Sequence, residues 1–276
     1  MMFLPLTELD QLGGLPGLEL SQMMEMLAVF FLSTVRIGAF LIAAPFFGSR
    51  STPLQVRIIV AALLGVVVMG RSDVPSPTDF DDLLLVSVIL VELSVGILAG
   101  LIMNIWFSAA VMAGEKIATS AGLGYAAMLD PETGGQTPVV SRVLSMFLIA
   151  MFLGVDGHLV VIRTMLDSYI MLPIGHFPDY EALIKGGIAA AGSMFMAASL
   201  IMLPIIIVML LLNLAAGVIT RSAPQLNLFS FVFPINLLAV FVLLYLTVDV
   251  FAHALTDLAF AAIDNLQTVM GAASYG

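Results

Sequence analysis

Residues 186–248 read GGIAAAGSMFMAASLIMLPIIIVMLLLNLAAGVITRSAPQLNLFSFVFPINLLAVFVLLYLTV, and Arg221 is the one charged residue among them. Soluble helices carry charged residues along an outward face, and a stretch this bare has no solvated face to offer. It belongs in or against a membrane. Near its middle, Arg221-Ser222-Ala223-Pro224-Gln225-Leu226-Asn227 brings together a basic residue, a Ser able to cap and a Pro suited to a first helical turn. That reads as the tip of a helical hairpin.

Working outward, the whole chain of 276 residues is 61% hydrophobic and 10% charged, with a mean hydropathy of +1.13. Charged residues make up about 25% of an ordinary soluble domain, so the shortfall decides the class. The expected fold is all-α, a polytopic membrane protein of long kinked helical hairpins. A net charge of −10 argues against nucleic acid as a partner. With no Cys, disulfides and thiolate chemistry are excluded. Glu8, Asp10, Glu19 and Glu25 fall in the first 35 residues with no Lys or Arg. The basic start of a cleavable leader is therefore missing, and the first apolar helix is expected to be kept.

A helix needs roughly 20 apolar residues to cross a hydrocarbon core of about 30 Å. Six segments come near or beyond that length, around 23–47, 54–70, 83–113, 143–162, 186–220 and 226–248. The second and fourth are weak and read as possible partial spans. The fifth would reach about 52 Å at about 1.5 Å per residue, so it must tilt, kink or project, and Pro204 supplies a reason for a kink. Basic residues at Arg50 and Arg57, at Lys116 and Arg142, and at Arg221 alternate with acidic connections, which puts both termini outside the cytoplasm. Arg50-Ser51-Thr52-Pro53 echoes Arg221-Ser222-Ala223-Pro224, which is good chemistry for a basic turn that opens a helix.

The sequence lacks H-E-x-x-H, G-x-S-x-G and G-x-x-x-x-G-K-[ST], so no enzyme is expected and neither is a metal or cofactor. Asp156-Gly157-His158 offers two ligands and does not complete a metal site. Asp249, His253 and Asp257 line one helix face and read as a polar stripe where the last helix leaves the apolar layer.

Arg36 and Glu92 are charges inside apolar segments, which makes them candidates for function and for pairing with each other. Glu92, Gly96, Gly100, Asn104 and Ser108 recur every four residues as a helix-packing stripe that also suits an aqueous path in a ring of helices. The connection from Gly114 to Pro138 begins with small apolar residues where a surface loop would be polar. Non-helical backbone at membrane depth needs protein around it or a cavity beside it, so this connection reads as a constricting loop or a buried turn.

The order of Arg36-Ile-Gly-Ala-Phe-Leu-Ile-Ala-Ala-Pro-Phe-Phe-Gly-Ser-Arg, the Gly122-Leu-Gly-Tyr-Ala…Asp130-Pro131 loop, Gly157-His158 with Ser168-Tyr169 and Pro173, and Arg221-Ser-Ala-Pro-Gln-Leu-Asn-Leu-Phe resembles the FliR family of flagellar type III export-gate proteins. The resemblance runs over nearly the whole chain. The Pro-Gln-Leu-Asn turn is shared with injectisome counterparts, while the Gly-Leu-Gly-Tyr-Ala loop looks flagellar.

The resemblance implies a structural subunit of a gate in the bacterial inner membrane at the flagellar basal body. It would assemble with FliP and FliQ, be touched by FlhB, and pass unfolded flagellar subunits outward. It implies a FliP-like part over 1–180 and a FliQ-like hairpin over 186–276. It also implies that Gly122, Leu123, Gly124, Tyr125, Ala126, Met128, Asp130 and Pro131 help plug the closed channel, and that Arg221, Pro224, Gln225, Asn227 and Phe229 form a partner-facing turn. In that family the subunits stack out of the bilayer plane, so an apolar segment can be buried by a neighbour rather than by lipid. An injectisome gate subunit and a small-solute secondary transporter using Arg36 and Glu92 are the alternatives.

Overall fold

The computed structural model describes residues 20–48, 52–76, 80–123, 139–222 and 231–273. Among the described residues the architecture is all helical. In chain order the helices are α1 (Leu20–Ala43), α2 (Leu54–Arg71), α3 (Asp82–Ser120), α4 (Val139–Gly154), α5 (Gly157–Met171), α6 (Tyr180–Ser222), α7 (Phe233–Leu246) and α8 (Val248–Ala273). Helices α1, α2, α3 and α6 are each long and apolar enough to cross a membrane. The pairs α4/α5 and α7/α8 add two broken spans if each crosses as one, for up to six. The all-α polytopic architecture expected from composition is the one observed.

Two features of chain geometry were not visible in hydropathy. The fourth apolar segment is two helices bent by 68°, and the last is followed by a further helix at 66°. At the first bend Asp156 takes a left-handed conformation, φ 55°, and its carbonyl accepts the N–H groups of Leu159 and Val160 to start α5. A side chain at Gly157 would run into the Phe152 ring, so the bend packs on itself. At the second bend the Leu243 carbonyl accepts both the Thr247 N–H at 3.0 Å and the Thr247 hydroxyl at 2.7 Å.

The described chain forms two compact units, with α3, α5, α6 and α8 contributing residues to both. In the first, α1 and α2 pack with the start of α3, the end of α5 and the last residues of α8. Leu32, Ile37, Phe40, Leu41, Val95 and Ala99 are in its core. Gly65 allows α2 to approach α1, because a Cβ there would collide with Thr34. The Asp179 carboxylate accepts the N–H groups of Glu181 and Ala182, capping α6.

The second unit holds the rest of α3, α4, most of α6 and α8, and all of α7. Its core is a run of small and aliphatic residues, Ala109, Ala113, Ile117, Leu148, Ala198 and Met209 among them, with Phe107 packed edge-on to Phe152 at 5.3 Å. Helix α3 continues to Ser120, so Gly114–Ser120, read from sequence as the start of a loop, is helical. Its small residues serve a close helix crossing: a Cβ on Gly114 would collide with the backbone of Ser141 on α4.

Candidate functional site

In the first unit, Arg36 on α1 is fully buried and faces Glu92 on α3, also fully buried. Its Nε donates to Glu92 Oε2 at 2.8 Å and its Nη2 to Oε1 at 3.0 Å. Nη1 donates to the Ser168 carbonyl at 3.0 Å and the Ser168 hydroxyl at 3.1 Å, and Nη2 also reaches the Leu172 carbonyl at 2.9 Å. A guanidinium has five N–H donors, and all five are engaged. The Tyr169 ring lies 4.3 Å from the Arg36 carbon Cζ, while its hydroxyl donates to the Ser33 carbonyl at 2.8 Å.

The electrostatics follow from this arrangement. The ion pair is neutral overall, and the carbonyls of Ser168 and Leu172 lie at the C-terminal end of α5, where the helix dipole is negative and favours a cation. An ion pair removed from water is stabilising only when its remaining hydrogen-bonding groups are satisfied, and this one meets that condition. It ties α1 to α3 and to the end of α5. A guanidinium with every donor committed has none left for a passing solute.

Along α3 the small-residue stripe divides. Gly96 and Gly100 are buried against α1: a Cβ on Gly96 would meet the Arg36 carbonyl and Ala39, and one on Gly100 would meet Ala43 Cβ at 2.5 Å and Ala44 N at 2.9 Å. Asn104 is exposed and Ser108 half-buried, with the Ser108 hydroxyl donating to the Asn104 carbonyl. Glu92, Gly96 and Gly100 thus share one interface with α1.

At the end of α3, Gly122 has φ 83°, the left-handed conformation that glycine adopts without a Cβ penalty. The Leu123 N–H bonds the Ala118 carbonyl and the Gly122 N–H bonds that of Thr119, both at 3.0 Å, the paired closure that ends many helices. Gly122 and Leu123 are half-buried. Gly124, Tyr125, Ala126, Met128, Asp130 and Pro131 lie outside the described residues. Arg221 is exposed in the last turn of α6, whereas Pro224, Gln225, Asn227 and Phe229 lie outside the described residues.

Asp249, His253 and Asp257 are exposed along α8, with His253 Nδ1 2.8 Å from the Asp249 carbonyl. Ser33 and Leu172, which complete the Arg36 cluster through main-chain carbonyls, carried no signal of their own. Nor did Asn213 and Asn236, whose amides meet between α6 and α7.

Residues 27–262 match the family described as bacterial export proteins, family 1. The chain belongs to that family. It is 34% identical over 215 residues to the flagellar biosynthetic protein FliR of Pectobacterium carotovorum, covering 78% of this chain and 82% of that one. FliR of Escherichia coli K12 is 33% identical over 223 residues, with the same coverage. FliR of Bacillus subtilis 168 is 25% identical over 254 residues, covering 91% and 98%. Membership in the export family, together with four to six apolar spans, makes this a multi-pass membrane component of an export apparatus.

Proposed function

We propose that this chain is a non-enzymatic structural subunit of the flagellar type III export gate in the bacterial inner membrane. It helps form, and helps close, the conduit through which unfolded flagellar subunits leave the cell. The observation that carries this reading is the family match over residues 27–262, joined by FliR relatives aligned over most of their length.

The helices support an assembled rather than solitary role. Helix α3 has 39 residues and α6 has 43, about 58 and 65 Å at about 1.5 Å per residue, against a hydrocarbon core of about 30 Å. Helix α6 buries a narrow seam at Ala198, Ile201, Ile205 and Met209 while Leu203, Leu210, Leu211 and Leu214 remain exposed. Lipid cannot cover a helix twice its own thickness, so neighbouring subunits are the natural cover for the rest. FliP and FliQ fill that place in this reading, with residues 1–180 as the FliP-like part and 186–276 as the FliQ-like hairpin. FlhB would meet the turn carrying Arg221, Pro224, Gln225, Asn227 and Phe229.

The loop from Gly122 to Pro131 is the restriction in the closed gate. Small residues let segments close tightly and part again without breaking strong bonds, while Tyr125 and Met128 supply bulk. Deleting residues 122–125 should leave the complex assembled but leaky to ions and small solutes. A deletion mutant that assembles, stays tight and exports normally would refute the loop's role.

A further inference from the structure

Asn213 and Asn236 stand in the most apolar part of the chain, where an amide without partners is costly. Asn236, buried on α7, donates from Nδ2 to Asn213 Oδ1 on α6 at 2.6 Å. Asn213 in turn donates from Nδ2 to the main-chain carbonyl of Ser120, the last residue of α3, at 3.2 Å. The glycine-centred closure of α3 uses the carbonyls of Ala118 and Thr119. The Ser120 carbonyl is the next one along, and Asn213 caps it. Because Asn236 occupies the oxygen end of the Asn213 amide, the nitrogen end is turned toward Ser120. The amides therefore act in series, and one side chain inside α6 links the end of α3 to the first turn of α7.

We propose that Asn213 is a positioning residue of the gate: oriented by Asn236, it fixes the end of α3, and with it the root of the restricting loop, to the α6/α7 hairpin. This rests on the reading of residues 122–131 as the restriction. The tie is a single hydrogen bond between neutral groups, weak enough to be released and remade when the hairpin shifts. Helix α6 runs on from Asn213 to Arg221, the proposed partner contact, so a force applied there has a direct connection to the loop's root.

The test uses the assembled complex purified from membranes. Asn213→Leu removes both bonds, and Asn213→Asp keeps the acceptor for Asn236 while losing the donor to Ser120. Hydrogen exchange at the amides of Ala121, Gly122 and Leu123 should quicken about three- to tenfold in both variants. Asn236→Leu should give a smaller increase. Ion leak through the closed complex should rise in the same order, with the co-purifying subunits unchanged.

Unaltered exchange in both Asn213 variants overturns the proposal. So does faster exchange in a complex that stays tight while deletion of 122–125 leaks, since the bond would then be structural only. Faster exchange when neither the Asn213 variants nor the deletion leaks keeps the anchor on α3 and removes the restriction reading. If Asn213→Leu fails to assemble, the Asp variant decides.

Discussion

Arg36 and Glu92 meet edge to edge, Nε to Oε2 at 2.8 Å and Nη2 to Oε1 at 3.0 Å, with both side chains wholly excluded from solvent. Removing one partner leaves an uncompensated buried charge, which typically costs about 3–5 kcal/mol. Arg36→Met and Glu92→Leu should each sharply lower the amount of intact protein in membranes. The double variant, with no charge left to strand, should recover part of the loss. Membrane abundance and thermal unfolding of the purified complex measure both.

The partners around the pair should show a graded series. Ser168→Ala removes one acceptor from Arg36 and leaves the carbonyl beside it, for a cost of about 1.5–3 kcal/mol typical of a bond to a charged group. Tyr169→Phe removes the hydroxyl bonded to Ser33 and should cost about 1 kcal/mol. Thermal unfolding should rank these below either single change at Arg36 or Glu92.

Helix glycines should separate by what lies beside them. Gly96→Val and Gly100→Val force side chains into α1 and should destabilise by at least about 1–3 kcal/mol. Gly38 and Gly192 have open space where a Cβ would go, so Ala at either should be neutral or stabilising by up to about 1 kcal/mol through helix propensity. Melting temperatures of the four variants, compared in one detergent, check the split.

Gly122→Ala places a Cβ on a left-handed residue and should cost about 1–2 kcal/mol, loosening the last turn of α3. Asn tolerates that conformation better, so Gly122→Asn should be milder. Lys116 is exposed near that end of the helix, and trypsin cleavage after it reports the loosening directly. Cleavage should be fastest in the Ala variant and intermediate in the Asn variant.

The number of apolar spans was legible because length and lack of charge are local properties of the sequence. The bends were not. Asp156 is an ordinary polar residue until its backbone turns left-handed, and Thr247 is one of several hydroxyl residues bonded to the carbonyl four residues back, most of them inside unbroken helices. Arg36 and Glu92 stood out because ionised groups in an apolar layer are expensive. Their remaining partners include the carbonyls of Ser168 and Leu172, and a main-chain carbonyl has no sequence signature. Gly114 misled for a related reason: a glycine opening a loop and one at a helix crossing read alike, and only the approach of Ser141 distinguishes them.

The claim that these helices are completed by neighbouring chains is tested most directly by the mass of the particle extracted from bacterial membranes in mild detergent. A hetero-oligomer in which this chain is joined by two other kinds of small apolar subunit is the expected result. A stable monomer or homodimer whose melting temperature rises on addition of a small solute would contradict it.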